Sequence, residues 1–451
     1  MSKSLVAVVR YESPLESVRK AMELSGGFGN LPSSARVFIK PNIVYWTKAV
    51  QFPKWGVITT SRVVEDMIVL LKEHGINDIV IGEGMVTMIP GDKDTPAHAF
   101  KSLGYEKLKN RYGIKYINVF ERPFEKVEIE EGLTLNYNKD ILHSDFIVDL
   151  PVMKAHNQTV VSLGIKNLKG IIDISSRKKC HNTDPEKDLH YHVSRLSDKL
   201  PPIFTLIDGI YTLERGPGFD GKMKRSDILV ASSDILSADM VGARLLGHEP
   251  SDIPYLVHAA KKRNRPTDLS DIKISGEEIA NLVSYHEYDF KYAENENCTL
   301  PVPLAKQGIA GIFYRKYDST MCTYCSGMNG LVLSAIRFAW KGTPWDDVEI
   351  LTGKIMKPVK GKKTILLGKC MCKANRSNPD IKEVIEVKGC PPKPKDILNA
   401  LRKAGIDADP NMFKEETIEQ LPGFFMARYK GRSEFNESFF EIESLKLDQG
   451  K

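Results

Sequence analysis

No stretch of this chain holds the roughly 18 consecutive apolar residues that a membrane span needs, although the chain is 451 residues long. The opening "MSKSLVAVVRYES" has a short apolar run followed at once by charge, so neither a signal peptide nor a membrane anchor is expected. Blocks of like charge are missing too. The densest basic run is "KKRNR" at 261–265, and 64 basic against 58 acidic residues leave a formal net charge of +6. That balance does not suggest a nucleic-acid arm, though it suits small anions. Cysteine is sparse, at seven residues, and the compact run of four close cysteines seen in bacterial ferredoxins is absent. No internal repeat is visible. These absences leave a cytoplasmic globular protein, and 42% hydrophobic residues suffice for a large core in two or three domains.

What is present up to about residue 260 is alternation. "LVAVV" (5–9), "ARVFIK" (35–40), "DIVIGEG" (78–84), "SDFIVDLPV" (144–152), "IFTLIDGI" (203–210) and "SDILVASS" (226–233) read as strands, most of them buried on both faces. "PLESVRKAMEL" and "SRVVEDMIVLLKEHG" read as helices, the second with Ser61 as N-cap and Gly75 as stop. The alternation predicts an α/β domain with a largely parallel sheet and flanking helices over 1–263. The stretch 122–139 alternates like an exposed hairpin, which leaves a mixed sheet open. Residues 264–308 turn polar and read as a linker or insertion. A smaller cysteine-bearing α+β domain is expected over 309–439, and a charged tail, partly disordered, over 440–451.

Parallel sheets gather ligands at the carboxyl ends of their strands. Lys40 and Asn42 follow one strand in "IKPNIV", and Glu83 stands between two glycines after another. Asp208 lies at a fourth strand end; Glu83 and Asp208 read equally well as turn or cap carboxylates. After Val152, a helix expected from Gln158 or Thr159 would carry Thr159, Ser162, Lys166 and Lys169 on one polar face. Lys154, His156 and Asn157 would stand at its mouth, where free N–H groups favour phosphate or carboxylate. A solvated lysine-rich face is the plainer alternative. In the site reading Lys40, Asn42, Glu83, Lys154, Asn157, Lys169 and Asp208 bind a small anionic substrate, while the catalytic pair is His156, which moves a proton, and Lys166, which with Lys154 holds the carboxylate or phosphate.

Five of the seven cysteines, Cys322, Cys325, Cys370, Cys372 and Cys390, crowd into the C-terminal region, which in a reducing compartment favours metal over disulfide. "CTYC" lets two thiolates face one centre, and Cys390 precedes a proline, as the last ligand of a ferredoxin run does. The expected ligands are Cys322, Cys325, Cys370 and Cys390, with Cys372 as the rival to Cys370. A 4Fe-4S cluster is the leading expectation. Zinc is the alternative, although four-thiolate zinc sites more often show two CxxC pairs than one.

"IKPNIV", "MKAHNQTVVSLGIKNLKGIID", "LIDGIYTLERGPGFDGK" and "ILVASSDILSADMVGARLLG" resemble hallmark segments of the domain of unknown function 362 family. The resemblance covers roughly residues 5–250 and implies association with an iron–sulfur module. The segment 144–173 is also similar to the nickel-pincer lactate racemases, where a histidine precedes the cofactor-bearing lysine. His156 and Lys166 stand in that order, with His181 near the place of a later metal-binding histidine. The intervening "NQTVVSLGI" departs from that pattern, so the likeness implies a shared fold rather than cofactor attachment at Lys166. Three functions follow as expectations: an iron–sulfur oxidoreductase with an electron-transfer partner, a hydroxy-acid isomerase or epimerase with a structural metal site, and a non-catalytic electron carrier.

Overall fold

The computed structural model describes residues 3–29, 31–87 and 91–442, and it divides into two compact units. The first comprises Met1–Ser176, His190–Tyr288 and Pro422–Lys451; the second comprises Arg177–Leu189 and Asp289–Leu421.

The first unit is built on a ten-stranded sheet. Its parallel half contains β2 (Arg36–Pro41), β3 (Asp78–Glu83), β4 (Lys115–Asn118), β7 (Phe146–Leu150) and β10 (Ile203–Glu214), in the order β10-β7-β2-β3-β4. Each parallel pair needs a crossover, which is why strands and helices alternate in the sequence. Beyond β10 the sheet turns antiparallel, through β11 (Lys222–Ser232) to β1 (Ser4–Arg10). The stretch 122–139 takes no part in that mixing and forms a separate hairpin, β5 (Phe124–Glu130) with β6 (Leu133–Asn138).

The helices Glu16–Leu24 and Ser61–Glu73 form as the apolar spacing predicts and pack on the sheet through Val18, Ala21, Val63, Val64, Met67 and Leu71. Thr60, rather than Ser61, stands at the N-cap of the second helix, and Gly75 with φ of 92° closes it. Glycine suits that left-handed turn, where other residues meet steric strain.

The linker expected at 264–308 is not one segment. Residues Ile272–Gly276 form β12, which pairs in parallel with β1 and widens the first unit's sheet, and the chain enters the second unit only at Asp289. A short strand hydrogen-bonded along one edge needs little apolar periodicity, so its composition reads as polar. The boundary expected at 439 also moves: the chain returns to the first unit at Pro422, and Tyr429 and Phe435 pack their rings on Trp55. Most of the expected tail, 443–451, lies outside the described residues.

The second unit has a six-stranded sheet in sequential order: β13 (Tyr292–Glu294), β14 (Cys298–Pro301), β15 (Ile312–Tyr314), β16 (Val348–Leu351), β17 (Lys363–Leu367) and β18 (Glu383–Val387). All its pairs are parallel except β13 with β14. Among the described residues no helix is long and apolar enough to cross a membrane.

Candidate functional sites

The segment after Pro151 departs most from the sequence reading. In place of a helix from residue 158, β8 (Val152–His156) turns back on β9 (Val160–Ser162), and only then comes a short helix, Gly164–Asn167. Val160 and Val161 favour an extended chain, and Val160 accepts a φ of 65° to make the turn. The Asp239 carboxylate accepts the N–H groups of Gly164 and Ile165 at 2.6 and 3.0 Å, which starts the short helix there. The common polar face expected for Thr159, Ser162, Lys166 and Lys169 therefore does not form.

Four expected residues do meet at the strand tips, but they satisfy one another. The Lys40 ammonium donates to Glu83 Oε2 at 2.9 Å, to the Pro41 carbonyl at 2.6 Å and to Asn167 Oδ1 at 3.3 Å. Lys154 Nζ donates to Asn42 Oδ1 at 2.6 Å and to the Val57 carbonyl at 3.0 Å. Asn42 Nδ2 donates to Asn167 Oδ1 at 2.9 Å, and Asn167 Nδ2 to Asp149 Oδ1 at 2.8 Å. Glu83 also takes the backbone N–H groups of Ile43 and Gly84 at 2.9 and 2.7 Å. Lys40 and Lys154 are each 0% exposed. With three acceptors around Lys40 Nζ, no N–H of that ammonium is left for a substrate anion. The network ties β2, β3, β7 and β8 together as a polar core, which corrects the anion-receptor role expected of Lys40 and Glu83.

Burial governs the titration of this region. Desolvation, with help from nearby Lys40 and against Glu83, lowers Lys154 to about 7. Burial also pushes the Asp149 carboxyl well above its ordinary value. Asp208 is raised to about 6 by burial, and its carboxylate takes the N–H and hydroxyl of Thr60 at 2.7 and 2.9 Å, fixing the start of helix Ser61–Glu73. Asp208 thus holds Thr60, the residue at the N-cap of that helix. His156 ends β8, and its Nδ1 accepts the Gln158 N–H at 3.0 Å, so the neutral ring carries its proton on Nε2. Asn157, Lys166 and Lys169 are half-buried. His181 belongs to the second unit, where its Nδ1 lies 2.7 Å from the Ser319 carbonyl. Sequence reasoning missed Asn167, Asp149 and Asp239. Asp149 had a signal, since an acid inside a strand buried on both faces needs a partner.

The thiols of the second unit gather at the carboxyl edge of its sheet. Cys370 stands three residues after the end of β17 and Cys390 three after the end of β18. Cys322 is the N-cap of helix Thr323–Ala339, and Cys325 lies in its first turn. The segments meet at Gly368, whose φ of 94° suits only glycine. A Cβ there would lie 3.1 Å from Cys325 Sγ and 3.8 Å from Pro392 Cγ. Lys178 Nζ closes the group, 3.5 Å from Cys390 Sγ and 4.9 Å from the centre of the Tyr324 ring.

The pair Cys322–Cys325 shares a hydrogen bond, which pushes the Cys322 thiol down and the Cys325 thiol up; the charges of Cys390 and Cys370 push Cys325 further up. Cys372 faces the other way. It is buried with Leu351, Leu366 and Met371, and its thiol lies 3.4 Å from the Leu366 carbonyl and 3.6 Å from that of Val387. Cys370 and Cys372 sit on helix Lys369–Asn375, where two residues turn the side chain by about 200°. The donor set has the right chemistry and number for a four-thiolate centre. Among the described residues, however, no three or more His, Cys, Asp or Glu side chains are closed tightly enough to hold a single metal ion.

Residues 37–244 match the family model of DUF362, a domain of unknown function. That region of the chain is similar to DUF362. That stretch takes in the strand-tip network and the β8–β9 hairpin, as the sequence resemblance implies. A thylakoid-associated protein of Synechocystis sp. is 26% identical over 272 residues, 59% of this chain and 81% of its own length. The lactate racemase apoprotein from Thermoanaerobacterium thermosaccharolyticum matches in structure with a TM-score of 0.37 and 13% identity, covering 94% of this chain and 82% of that one. A likeness that distant carries no activity across.

Proposed function

We propose that this chain is an iron–sulfur protein whose centre is held by Cys322, Cys325, Cys370 and Cys390, and that it exchanges electrons on behalf of the region similar to DUF362. The observation that carries the reading is the convergence at Gly368, which brings the CTYC segment, the helix bearing Cys370 and the GCPP turn together while Cys372 turns into the core. Four-thiolate zinc sites more often show two CxxC pairs, and this chain has one, which favours the cluster over zinc. When bound, such a cluster supplies one-electron chemistry at a potential set by charge, hydrogen bonds and exposure. The chain's own part is to hold negative charge: Lys178 stands beside Cys390, and the Tyr324 and Cys325 N–H groups point at the Cys322 sulfur.

In the region similar to DUF362, an anionic carboxylate or phosphate substrate would meet His156 at the end of β8 and the half-buried Asn157, Lys166 and Lys169 that follow it. His156, with its proton on Nε2, would move a proton to or from that substrate. Anaerobically purified protein should be brown, with about four iron and four sulfide per chain. Stoichiometric zinc without iron, from cells supplied with both metals, would overturn the reading.

A further inference from the structure

The modest net charge of the chain hides a strong local asymmetry in the second unit. Four segments border the thiols: 177–180 (RKKC), 353–360 (GKIMKPVK), 369–376 (KCMCKANR) and 388–395 (KGCPPKPK). Together they hold twelve cations, three per segment, and no Asp or Glu, so the rest of a chain of net charge +6 is net acidic.

The segments are also joined in space. Lys354 Nζ donates to the Lys178 carbonyl at 3.2 Å, Lys178 Nζ stands 3.5 Å from Cys390 Sγ, and the Lys369 N–H donates to the Gly389 carbonyl at 3.1 Å. Lys369 and Lys373 lie one turn apart on one helix face. Lys388 and Lys393 flank Cys390. Lys369, Lys373, Lys388 and Lys393 are exposed, as are Cys370 and Cys390. Among the described residues no carboxylate pairs with Lys369, Lys373 or Lys393; Lys388 meets Glu386 at 3.4 Å.

Holding Lys369, Lys373 and Lys393 among so many cations with no carboxylate paired to them costs free energy through mutual repulsion, and the cost is offset when an anionic surface covers them. We propose that this lysine rim is the docking surface for a small acidic electron-carrier protein, which it brings against the exposed Cys370–Cys390 edge. The proposal rests on the iron–sulfur reading for its purpose, and on the charge pattern for its geometry. Complementary charge around a small contact raises the encounter rate and is screened by salt.

The test uses the full chain and an acidic plant-type [2Fe–2S] ferredoxin as probe, with binding followed by fluorescence anisotropy of labelled ferredoxin. Binding should weaken by about tenfold or more as salt rises from low to physiological strength. The combined variant Lys369→Glu, Lys373→Glu, Lys393→Glu should weaken it by a similar factor, and the milder Gln triple by less. Lys382→Glu is exposed at the opposite, amino end of β18 and should change nothing. Unaltered far-ultraviolet dichroism in the variants guards against a folding defect. Ferredoxin affinity indifferent to salt and to the triple variant overturns the docking proposal, whatever the iron content. Salt-sensitive binding to a chain without iron and sulfide upholds the surface and removes the iron–sulfur reading. Rim-dependent sedimentation with phosphatidylglycerol vesicles, with no ferredoxin binding, overturns the acidic-protein partner in favour of a lipid surface.

Discussion

The sharpest division is between two cysteines two positions apart. Cys370 is exposed at the thiol edge and Cys372 is sealed among Leu351, Leu366 and Met371. Cys370→Ser should therefore lose most of the iron, as should Cys322→Ser, Cys325→Ser and Cys390→Ser. Cys372→Ser should keep the iron and pay instead in stability, by about 1–3 kcal/mol for a buried hydroxyl in an apolar site; iron analysis and urea unfolding separate the two outcomes. Asp239 makes a prediction in pH. Burial raises it to about 7 from an ordinary value of 3.8, so the folded state holds a proton that the unfolded chain releases earlier. Its contribution is favourable at low pH and is lost as pH rises through 7. Native protein should thus lose urea resistance between about pH 4 and 7, the interval between the two values, and Asp239→Asn should lose less of it. Asp208 and Asp66, each raised to about 6, act in the same direction and leave a residual slope.

At the scale of elements, the strand tips depend on close approach. A Cβ at Gly170 would lie 2.4 Å from Glu83 Oε1 and 2.7 Å from Lys40 Nζ. Gly170→Ala should force apart a buried ion pair, at a cost of roughly 3–5 kcal/mol, read as a drop in urea midpoint. Gly368→Ala tests the other site, since a Cβ there meets Cys325 Sγ and the φ is left-handed. Its iron content should fall while the first unit, with its own core, keeps its urea transition. Equal loss of both transitions would show that Gly368 serves the fold rather than the thiols.

At the scale of the whole molecule, the two units divide the labour on the reading proposed: one holds a buried polar network at its strand tips, and the other has a small, mostly parallel sheet with thiols at its carboxyl edge. Lys166→Ala and Lys169→Ala should each weaken stabilisation of the protein by phosphate- or carboxylate-bearing metabolites. Lys40→Met should instead lower the melting temperature without any such ligand, because it strips Glu83 of its partner. A thermal-shift series across anions distinguishes these outcomes.

Strand identity in the first unit was legible from sequence because β2, β3, β7 and β10 are buried on both faces and so read as continuous apolar runs. The family segments were legible for the same reason that the network exists, since lysine, asparagine and glutamate at apolar strand ends are conspicuous. The gathering of Cys322, Cys325 and Cys390 with one of Cys370 and Cys372 could be read from spacing. What the sequence could not decide was direction. Whether Lys40 faces solvent or Glu83 depends on which strand lies beside β2, and that is β3, whose tip carries Glu83. Whether residues 158–167 form a helix or a hairpin turned on Asp239, more than seventy positions away, which holds the N–H groups of Gly164 and Ile165. Cys370 was separated from Cys372 only when the chain became a helix, placing one thiol outward and the other in the core. Each of these choices is made by a partner distant in sequence, and local pattern carries no record of such a partner.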